Sequence, residues 1–331
     1  MYITRSPMRI TFIGGGTDYK SFFEIHDGAT ISSTINKYVN VITNEQPLFV
    51  EDKYKFTYRQ TEGVKHVEDL KHPVVRETMK ILEWKNPLNI ATMADLPGNS
   101  GLGSSSAFTA ALLSNLTGCL GQKLSSVELA KKAIYIERDL LREPGGYQDQ
   151  IATTHGGLRL ISYKKDNFEV TQNYLDKDLV NYCKERLLLI RVPTPRLDMD
   201  AALKNEKYVQ QNPSNQELTK LVTKTNQLWS QFVSGSVMAE KFHVIQEAIQ
   251  SSWQTKSKWG NHIVNTEVSE IIFKLESVGA RHYKLVGSGG GGFILIAEEP
   301  DVISTISKSF KLEDLVYFEL STSRTESLNY D

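Results

Sequence analysis

Cysteine is scarce in this sequence: Cys119 and Cys183 are the only two among 331 residues. They form no C-x-x-C pair, and the seven histidines include no H-x-x-x-H pair, so neither a disulfide framework nor a zinc site is indicated. We therefore expect a cytoplasmic protein in which Cys119 serves core packing.

Long apolar runs and an excess of one charge are also lacking. No stretch of about eighteen apolar residues occurs, and the N-terminal run MYITRSPMRITFIGGG ends in glycines, which disfavours membrane spanning and secretion. Lysine plus arginine (38) nearly balances aspartate plus glutamate (39), so no strong field would recruit nucleic acid or an anionic membrane. The expected partners are small molecules, and the oligomeric state stays open.

The sequence does contain an alternation of strand and helix patterns over a length that suits two packed domains, which indicates an α+β or α/β class. Strands are predicted at Ile10–Ile13, Ala29–Thr43, Lys53–Gln60, residues 88–95, 156–163 and Leu187–Val192, and as the pair KLV and FILI near the C-terminus. Helices are predicted at Pro73–Lys85, residues 108–116, 125–141, Gln216–Phe232, Met238–Trp253 and Val268–Val278. The helical tryptophans are expected to serve packing: Trp229, Trp253 and Trp259. The polar composition of residues 167–184 suggests a domain boundary there.

The stretch PGNSGLGSSSA, residues 97–107, follows a predicted strand and opens a predicted helix. Unpaired N–H groups at a helix start carry a partial charge of about +0.5, and glycines let a large anion approach the backbone. The hydroxyls of Ser104, Ser105 and Ser106 could add hydrogen bonds or ligate Mg²⁺. The stretch predicts a phosphate site, although a flexible turn whose serine caps the helix explains it too.

Two better-known phosphate patterns do not fit. Ser104 follows Gly103 at the position where G-x-x-x-x-G-K-[ST] has lysine. Gly287, Gly289 and Gly292 match G-x-G-x-x-G, but the apolar strand FILI follows, so the helix that a dinucleotide site requires is missing. A hairpin turn between KLV and FILI is the plain alternative, although six residues of Gly and Ser exceed the two that a hairpin turn needs.

Ser125 and Glu128 form a capping-box pattern at the start of a helix, and Glu137 falls within the apolar stripe of that helix. Glu137 has no lysine or arginine three or four residues away. A core-facing carboxylate without a partner is costly, so Mg²⁺ beside the phosphate stretch is one explanation and a rotated, solvated helix is another. Asp149, in the tight segment PGGYQDQ, either caps a short helix or serves the same site.

Three motifs in order, PMRITFIGGGTDY, PGNSGLGSSSA and KLVGSGGGGF, resemble those of the GHMP family of small-molecule kinases, and the resemblance spans Arg5 to Ile296. Within the family, RSPMRITFIGGGTD, ERDLLREPGGYQDQ and GGLRL are most similar to sugar 1-kinases that act on D-glycero-D-manno-heptose 7-phosphate. The resemblance implies a two-domain α+β fold, with a ribosomal-protein-S5-like α/β domain at residues 1–175 and a ferredoxin-like domain at 176–331. It also implies ATP and Mg²⁺ as cofactors and a site between the domains.

The resemblance assigns residues to the nucleotide and the metal. Ser105 and Glu137 match the magnesium ligands, Asp149 matches the proposed general base, and Arg9 matches the basic residue near the transferred phosphoryl group. The residues implied to wrap the triphosphate are Pro97, Gly98, Ser100, Gly101, Leu102, Gly103, Ser104, Ser105 and Ser106.

The resemblance also implies an acceptor site. Asp18 matches an aspartate that binds sugar hydroxyls, and Arg196 follows Pro195 where heptose phosphate kinases carry a different basic segment. The residues implied to face the acceptor are Gly15, Gly16, Thr17, Asp18, Arg196, Gly289 and Gly290. The predicted acceptor is the heptose phosphate; an unphosphorylated sugar, or a non-catalytic sugar or nucleotide sensor, are the alternatives.

Overall fold

The computed structural model describes residues 1–98, 100–165, 167–193, 198–212 and 215–328, with only the backbone at 198 and 199. Its helices are α1 Lys20–Phe23, α2 Pro73–Ile81, α3 Ser104–Cys119, α4 Ser126–Ile134, α5 Gln148–His155, α6 Lys177–Lys184, α7 Asp198–Gln211, α8 Gln216–Ser234, α9 Met238–Lys256, α10 Thr266–Ser277 and α11 Pro300–Ser309. Its strands are β1 Tyr2–Ile13, β2 Gly28–Glu45, β3 Tyr54–Thr57, β4 Thr61–Val64, β5 Leu88–Ala94, β6 Leu158–Lys164, β7 Asn167–Val170, β8 Leu187–Val192, β9 Tyr283–Leu285, β10 Gly292–Ala297, β11 Leu315–Val316, β12 Leu320–Ser321 and β13 Glu326–Leu328. The mixed composition confirms the α+β class.

Among the described residues, nine strands form one sheet around the long strand β2. The main order is β13-β1-β2-β5-β3-β4, β12 and β6 also pair with β2, and β7 pairs with β6. β1 runs antiparallel to β2, with Tyr2 opposite Thr43 and Ile13 opposite Ile31. Pro7 lies beside a register shift in this pair, which is where a strand tolerates a residue without an N–H.

A second sheet, in the order β11-β8-β10-β9, belongs to the later part of the chain. β9 and β10 are antiparallel, with Leu285 opposite Ile294. The glycine run between them is therefore a hairpin connection and not a dinucleotide-binding turn, although it is longer than a hairpin needs.

Helix α3 anchors the end of the phosphate stretch in the core. It is apolar on all sides, and Leu112, Leu113 and Leu116 have no exposed surface. Such a helix belongs in the core, and α3 packs on β1 and β2. Its first residues, which follow the glycines of the phosphate stretch, are thereby fixed against the first sheet.

Helix α4 begins as predicted and then changes its winding. Ser125 accepts a hydrogen bond from the Glu128 N–H, and the Glu128 carboxylate accepts from the Ser125 N–H, so the capping box is confirmed. The helix continues as a π-helical turn, Tyr135–Leu140, that contains Glu137. π turns are rare, and they often occur at functional sites.

The last strands do not stay with the second sheet. β12 pairs with β2, and β13 pairs with β1, where Leu328 lies opposite Ile3. The division into 1–175 and 176–331 stays a prediction, but the sheets do not follow it, because the chain returns to the first sheet after residue 319.

Lys284 joins the two sheets. Its ammonium group, on β9, donates hydrogen bonds to the Thr11 carbonyl at 2.8 Å and to the Ser252 hydroxyl at 2.9 Å. The side chain is buried, and burial lowers the pKa of Lys284 well below its usual value. The bond to Thr11 connects the hairpin of the second sheet to the strand that carries Arg9.

Candidate active site

A cavity of about 540 Å³ lies where the loops of the two sheets meet. The predicted site residues that line it are Arg9, Gly15, Gly16, Gly101, Gly103, Ser104, Ser105, Ser106, Glu137 and Asp149. Those that are described but do not line it are Pro97, Gly98, Ser100, Leu102, Thr17, Asp18, Gly289 and Gly290. Arg196 lies outside the described residues.

The phosphate stretch turns tightly before α3. Gly101 and Gly103 have φ of +78° and +73°, in the left-handed region that favours glycine. The Ser100 hydroxyl accepts the Leu102 N–H at 3.3 Å, and the Leu102 side chain is fully buried. These two residues shape the turn, while the serines at the start of α3 face the cavity.

Arg9 and Asp149 form an ion pair at the wall of the cavity. Arg9 Nε lies 2.8 Å from Asp149 Oδ1, and Nη2 lies 2.6 Å from both carboxylate oxygens. Arg9 Nη1 also donates to the Gly101 carbonyl at 2.7 Å. Because the arginine side chain is only 4% exposed, these bonds fix the carboxylate beside the phosphate stretch.

Glu137 is buried, and its two carboxylate oxygens are in different environments. Oε2 accepts a hydrogen bond from the Ser106 hydroxyl at 2.9 Å and another from the Gln150 amide, and lies 3.6 Å from Arg138 Nη2. Oε1 is buried and has no partner. The serine that donates its hydroxyl to Glu137 is thus Ser106, whereas Ser105 is exposed at the cavity. The role of Ser105 as a metal ligand stays a prediction.

The side chains of Thr17 and Asp18 form hydrogen bonds with backbone groups of the protein itself. The Thr17 hydroxyl donates to the Gly14 carbonyl at 2.8 Å. Asp18 accepts the N–H groups of Gly16 at 2.9 Å and Gln148 at 3.3 Å, and burial raises the pKa of Asp18. The structure therefore does not bring these two side chains to the cavity; they brace the loops that line it.

The hairpin glycines are likewise anchored on the protein. The Gly290 N–H donates to the Ile263 carbonyl at 3.2 Å, and a Cβ added at Gly289 would lie 2.7 Å from Ile263 Cδ1. Gly287 and Ser288 line the cavity instead. Gly289 and Gly290 do not line the cavity, because the end of the hairpin packs against the segment before α10; their role at the acceptor stays a prediction.

Comparison with known proteins agrees with this geometry. The family model described as GHMP kinases N terminal domain matches residues 70–157, which include the phosphate stretch, Glu137 and Asp149. Residues 70–157 are thus a GHMP kinase N-terminal domain. Members of this family use ATP.

Two curated relatives match more than half of the chain. The chain is 24% identical to the D-glycero-alpha-D-manno-heptose 7-phosphate kinase of Campylobacter jejuni, over 94% of this chain and 93% of that protein. It is 26% identical to the bifunctional fucokinase/GDP-fucose pyrophosphorylase of Arabidopsis thaliana, over 63% of this chain and 20% of that protein.

Solved structures show the same fold. A D-glycero-D-manno-heptose 1-phosphate kinase from Bacteriodes thetaiotaomicron has a TM-score of 0.77 at 18% identity, covering 100% of both chains. A Lactococcus lactis galactokinase complexed with galactose has a TM-score of 0.72 at 15% identity, covering 99% of this chain and 95% of that one. The GHMP kinase fold implied by the motifs is thus confirmed.

Trp259 and Glu143 are among the cavity-lining residues that sequence analysis missed. Trp259, expected only to pack helices, lies with its ring edge against Gly16 and stacks on Tyr208 of α7. Glu143 follows the π-helical turn, and burial together with the neighbouring Glu137 raises its pKa to about 7. No spacing in the sequence signals either residue, because both are brought in by loops.

Membrane spanning was disfavoured by the sequence. Within the parts of the chain that the structure describes, no helix is long and apolar enough to cross a bilayer.

Proposed function

We propose that this protein transfers the γ-phosphoryl group of ATP to the anomeric hydroxyl of a sugar or sugar phosphate, with D-glycero-D-manno-heptose 7-phosphate as the acceptor. The observation that carries the proposal is the position of Arg9, which bonds Asp149 and the Gly101 carbonyl of the phosphate stretch at once. A cation fixed between a base and a phosphate cradle suits phosphoryl transfer, which depends on positioning and charge neutralisation.

The nucleotide is proposed to bind at the start of α3. The N–H groups there point away from the helix, and its dipole favours an anion. Gly101 and Gly103 leave the backbone open to a phosphate, and the hydroxyls of Ser104 and Ser105 line the same wall. The triphosphate would then lie beside Arg9.

Glu137 fits a magnesium ion, because its buried Oε1 lacks any partner. Glu137 would hold the metal together with a serine hydroxyl from the start of α3 and oxygens of the nucleotide. Among the described residues, no group of three His, Cys, Asp or Glu side chains could hold a metal, and Mg²⁺ in kinases is usually bound by one or two carboxylates plus phosphates. When bound, the ion would neutralise charge on the phosphate oxygens.

Asp149 and Arg9 are proposed to act on the acceptor. The anomeric oxygen of the acceptor attacks the γ-phosphorus, its proton passes to the Asp149 carboxylate, and the bond from the γ-phosphorus to the oxygen of ADP breaks. Arg9 stabilises the charge on the transferred group, an effect worth about 3 to 4 kcal/mol for a well-placed donor. A positioned base contributes about 10² to 10⁴ in rate.

The acceptor is proposed to lie against Gly15 and Gly16, with Gly287 and Ser288 on the opposite wall. The curated relative matched over 94% of this chain is named for a heptose 7-phosphate. Among the described lining residues, Arg138 and Lys256 are cationic besides Arg9, next to the carboxylates of Glu137, Glu143, Asp149 and Asp200. Arginine and lysine side chains suit an acceptor that already carries a phosphate. The fucokinase and galactokinase relatives make an unphosphorylated sugar the second candidate.

The test is ADP release with ATP and Mg²⁺ against a panel of acceptors, with phosphorus NMR of the product. The panel contains D-glycero-D-manno-heptose 7-phosphate, mannose, galactose, fucose, N-acetylhexosamines and mevalonate. We expect turnover with the heptose phosphate and a product phosphorylated at C1. Turnover with a free sugar alone would overturn the acceptor, and ATP binding without turnover on any acceptor would favour a sensor.

A further inference from the structure

Two buried oxygen atoms near the cavity lack hydrogen-bond partners, Oε1 of Glu137 and Oε1 of Gln150. Their residues are 1% and 0% exposed. A buried acceptor without a donor is energetically costly and needs an explanation. These two belong to side chains that touch each other, since Gln150 Nε2 donates to Glu137 Oε2.

The contacts of Glu137 are all on one oxygen. Ser106 and Gln150 both donate to Oε2, so the carboxylate is held by one atom while Oε1 is left available. This is the arrangement expected of a metal ligand whose orientation is set by a neighbouring donor. An amide oxygen can coordinate a cation directly or accept a hydrogen bond from a water bound to that cation. Because Gln150 lies outside the cavity lining whereas Glu137 lies within it, we assign the bound water to the orphaned oxygen of Gln150.

Gln150 is itself rigidly placed. It lies in the first turn of α5, where Gln148 accepts from the Thr11 hydroxyl at 2.7 Å and Asp149 pairs with Arg9. Three successive side chains thus attach one helical turn to β1 and to the π-helical turn. Gln150 therefore lies in the same anchored turn as the proposed base, Asp149.

We propose that Gln150 is the positioning residue of the metal site. Its amide N–H holds Glu137 Oε2 so that Oε1 can meet the metal, and its amide oxygen accepts a hydrogen bond from a water bound to that metal. Mg²⁺ keeps several of its waters in such sites, which supplies the missing donor. This inference rests on the nucleotide and metal sites of the proposed function, but not on its sugar.

The experiment measures the affinity of the protein for the non-hydrolysable ATP analogue AMP-PNP with and without Mg²⁺, by calorimetry. The ratio of the two affinities is the gain due to the metal. We expect Gln150→Met to reduce this gain by about 10-fold or more and to leave the metal-free affinity within about 2-fold of the parent. A merely structural role would change both affinities alike or neither.

Gln246→Met is the matched control, because Gln246 is also buried and donates to a single acceptor, the Ala297 carbonyl at 3.1 Å, on α9 outside the cavity lining. It should keep the full gain. If Gln150→Met fails to fold, Gln150→Asn tests the same point, since it keeps the amide but is one methylene too short to reach Glu137, and it should lose the gain as well.

A parental gain retained in the folded Gln150 variant overturns the inference. So does a parent protein that shows no gain, which also overturns the proposed metal. A gain that is lost in the Gln150 variants supports the inference even if every sugar in the acceptor panel is inert, so the failure of the acceptor and the failure of this inference are distinguishable.

Discussion

Arg9 shows how one side chain links chemistry to backbone geometry. Its guanidinium group bonds Asp149 and the Gly101 carbonyl, and a Cβ added at Gly103 would lie 3.1 Å from its Cγ. Glycine at position 103 therefore serves the turn and also leaves space for the arginine. A single residue in this site can thus serve both the backbone conformation and the packing of a functional side chain. Substitutions can separate these two roles.

Replacing Asp149 by Asn tests the proposed base. The amide cannot take the proton of the acceptor, so kcat should fall by about 10² to 10⁴, while AMP-PNP still binds because the start of α3 is unchanged. Steady-state ADP release measures kcat, and Asp301→Asn on the exposed first turn of α11 serves as the control. A variant with more than about a tenth of parental kcat would contradict the assignment of Asp149 as the base.

Gly16→Ala should destabilise the protein. Gly16 has φ of +101°, and its added Cβ would lie 2.4 Å from Trp259 Cη2, so we expect a loss of about 2 to 4 kcal/mol in the free energy of unfolding from strain and overpacking together. Gly279→Ala is the control, because Gly279 has φ of +98° and nothing within 4 Å. Urea unfolding gives the free energy of unfolding of both variants, and the difference between their losses is the contribution of the contact with Trp259. Equal losses would mean that this contact contributes nothing.

Glu143→Gln should change how stability depends on pH. The pKa of Glu143 is raised from 4.5 to about 7, so the folded protein holds a proton that the unfolded chain releases, and stability falls as pH rises through this window. The Gln variant lacks this loss, so its stability relative to the parent should increase from about pH 5 to about pH 7 and then level off. Unfolding free energies across this range, with the exposed Glu313→Gln as control, test this; a constant difference would refute it.

At the scale of secondary-structure elements, the sequence predicted those helices and strands that have a clear local pattern. β8 coincides with the predicted strand Leu187–Val192, and the capping box marks the start of α4. β1 begins at Tyr2 rather than Ile10 because Pro7 interrupts the pattern and is accommodated only by the register shift against β2. Helix α7 was missed, since its charged sequence shows little apolar periodicity and its burial comes from tertiary contacts.

The sequence likewise predicted some residues of the site and not others. Arg9, Glu137 and Asp149 were identified from patterns and from the family resemblance, and the structure brings them to one cavity. The choice between Ser105 and Ser106 on Glu137 depends on the winding of the π-helical turn, which no propensity encodes. Trp259 comes from a distant part of the chain, so no local signal relates it to Gly16.

Ser125→Ala tests the capping of α4. The Ser125 hydroxyl accepts the Glu128 N–H at 3.3 Å, so its loss should lower the free energy of unfolding by about 1 kcal/mol. Ser126→Ala, one residue on and without this bond, should change it by less than about 0.5 kcal/mol. Thermal and urea unfolding measure both, and equal effects would show that the cap contributes nothing.

At the scale of the whole molecule, the two sheets are interdependent. β12 and β13 come from the end of the chain and complete the first sheet, and Lys284 ties the second sheet to β1. The two halves predicted at residue 175 are therefore not expected to be independent folding units. A fragment ending there would leave one edge of β1 unpaired.

Truncation after residue 319 should unfold or strongly destabilise the protein, because it removes both returning strands and leaves β1 with an exposed edge. Truncation after residue 328 keeps both strands and serves as the control. Near-parental thermal unfolding of the shorter protein would show that the returning strands contribute little. A fragment of residues 1–175 that unfolds cooperatively would restore the simple division into two domains.

The return of β13 to β1 also affects synthesis. β1 leaves the ribosome before its partner at one edge, β13, which follows about 320 residues later in the chain. At about 5 to 20 residues per second, the early strand would wait roughly 15 to 60 s for that partner. During this interval its open edge can pair with other nascent chains, so we expect the yield of folded protein to depend on chaperones that shield it until β13 has been synthesised.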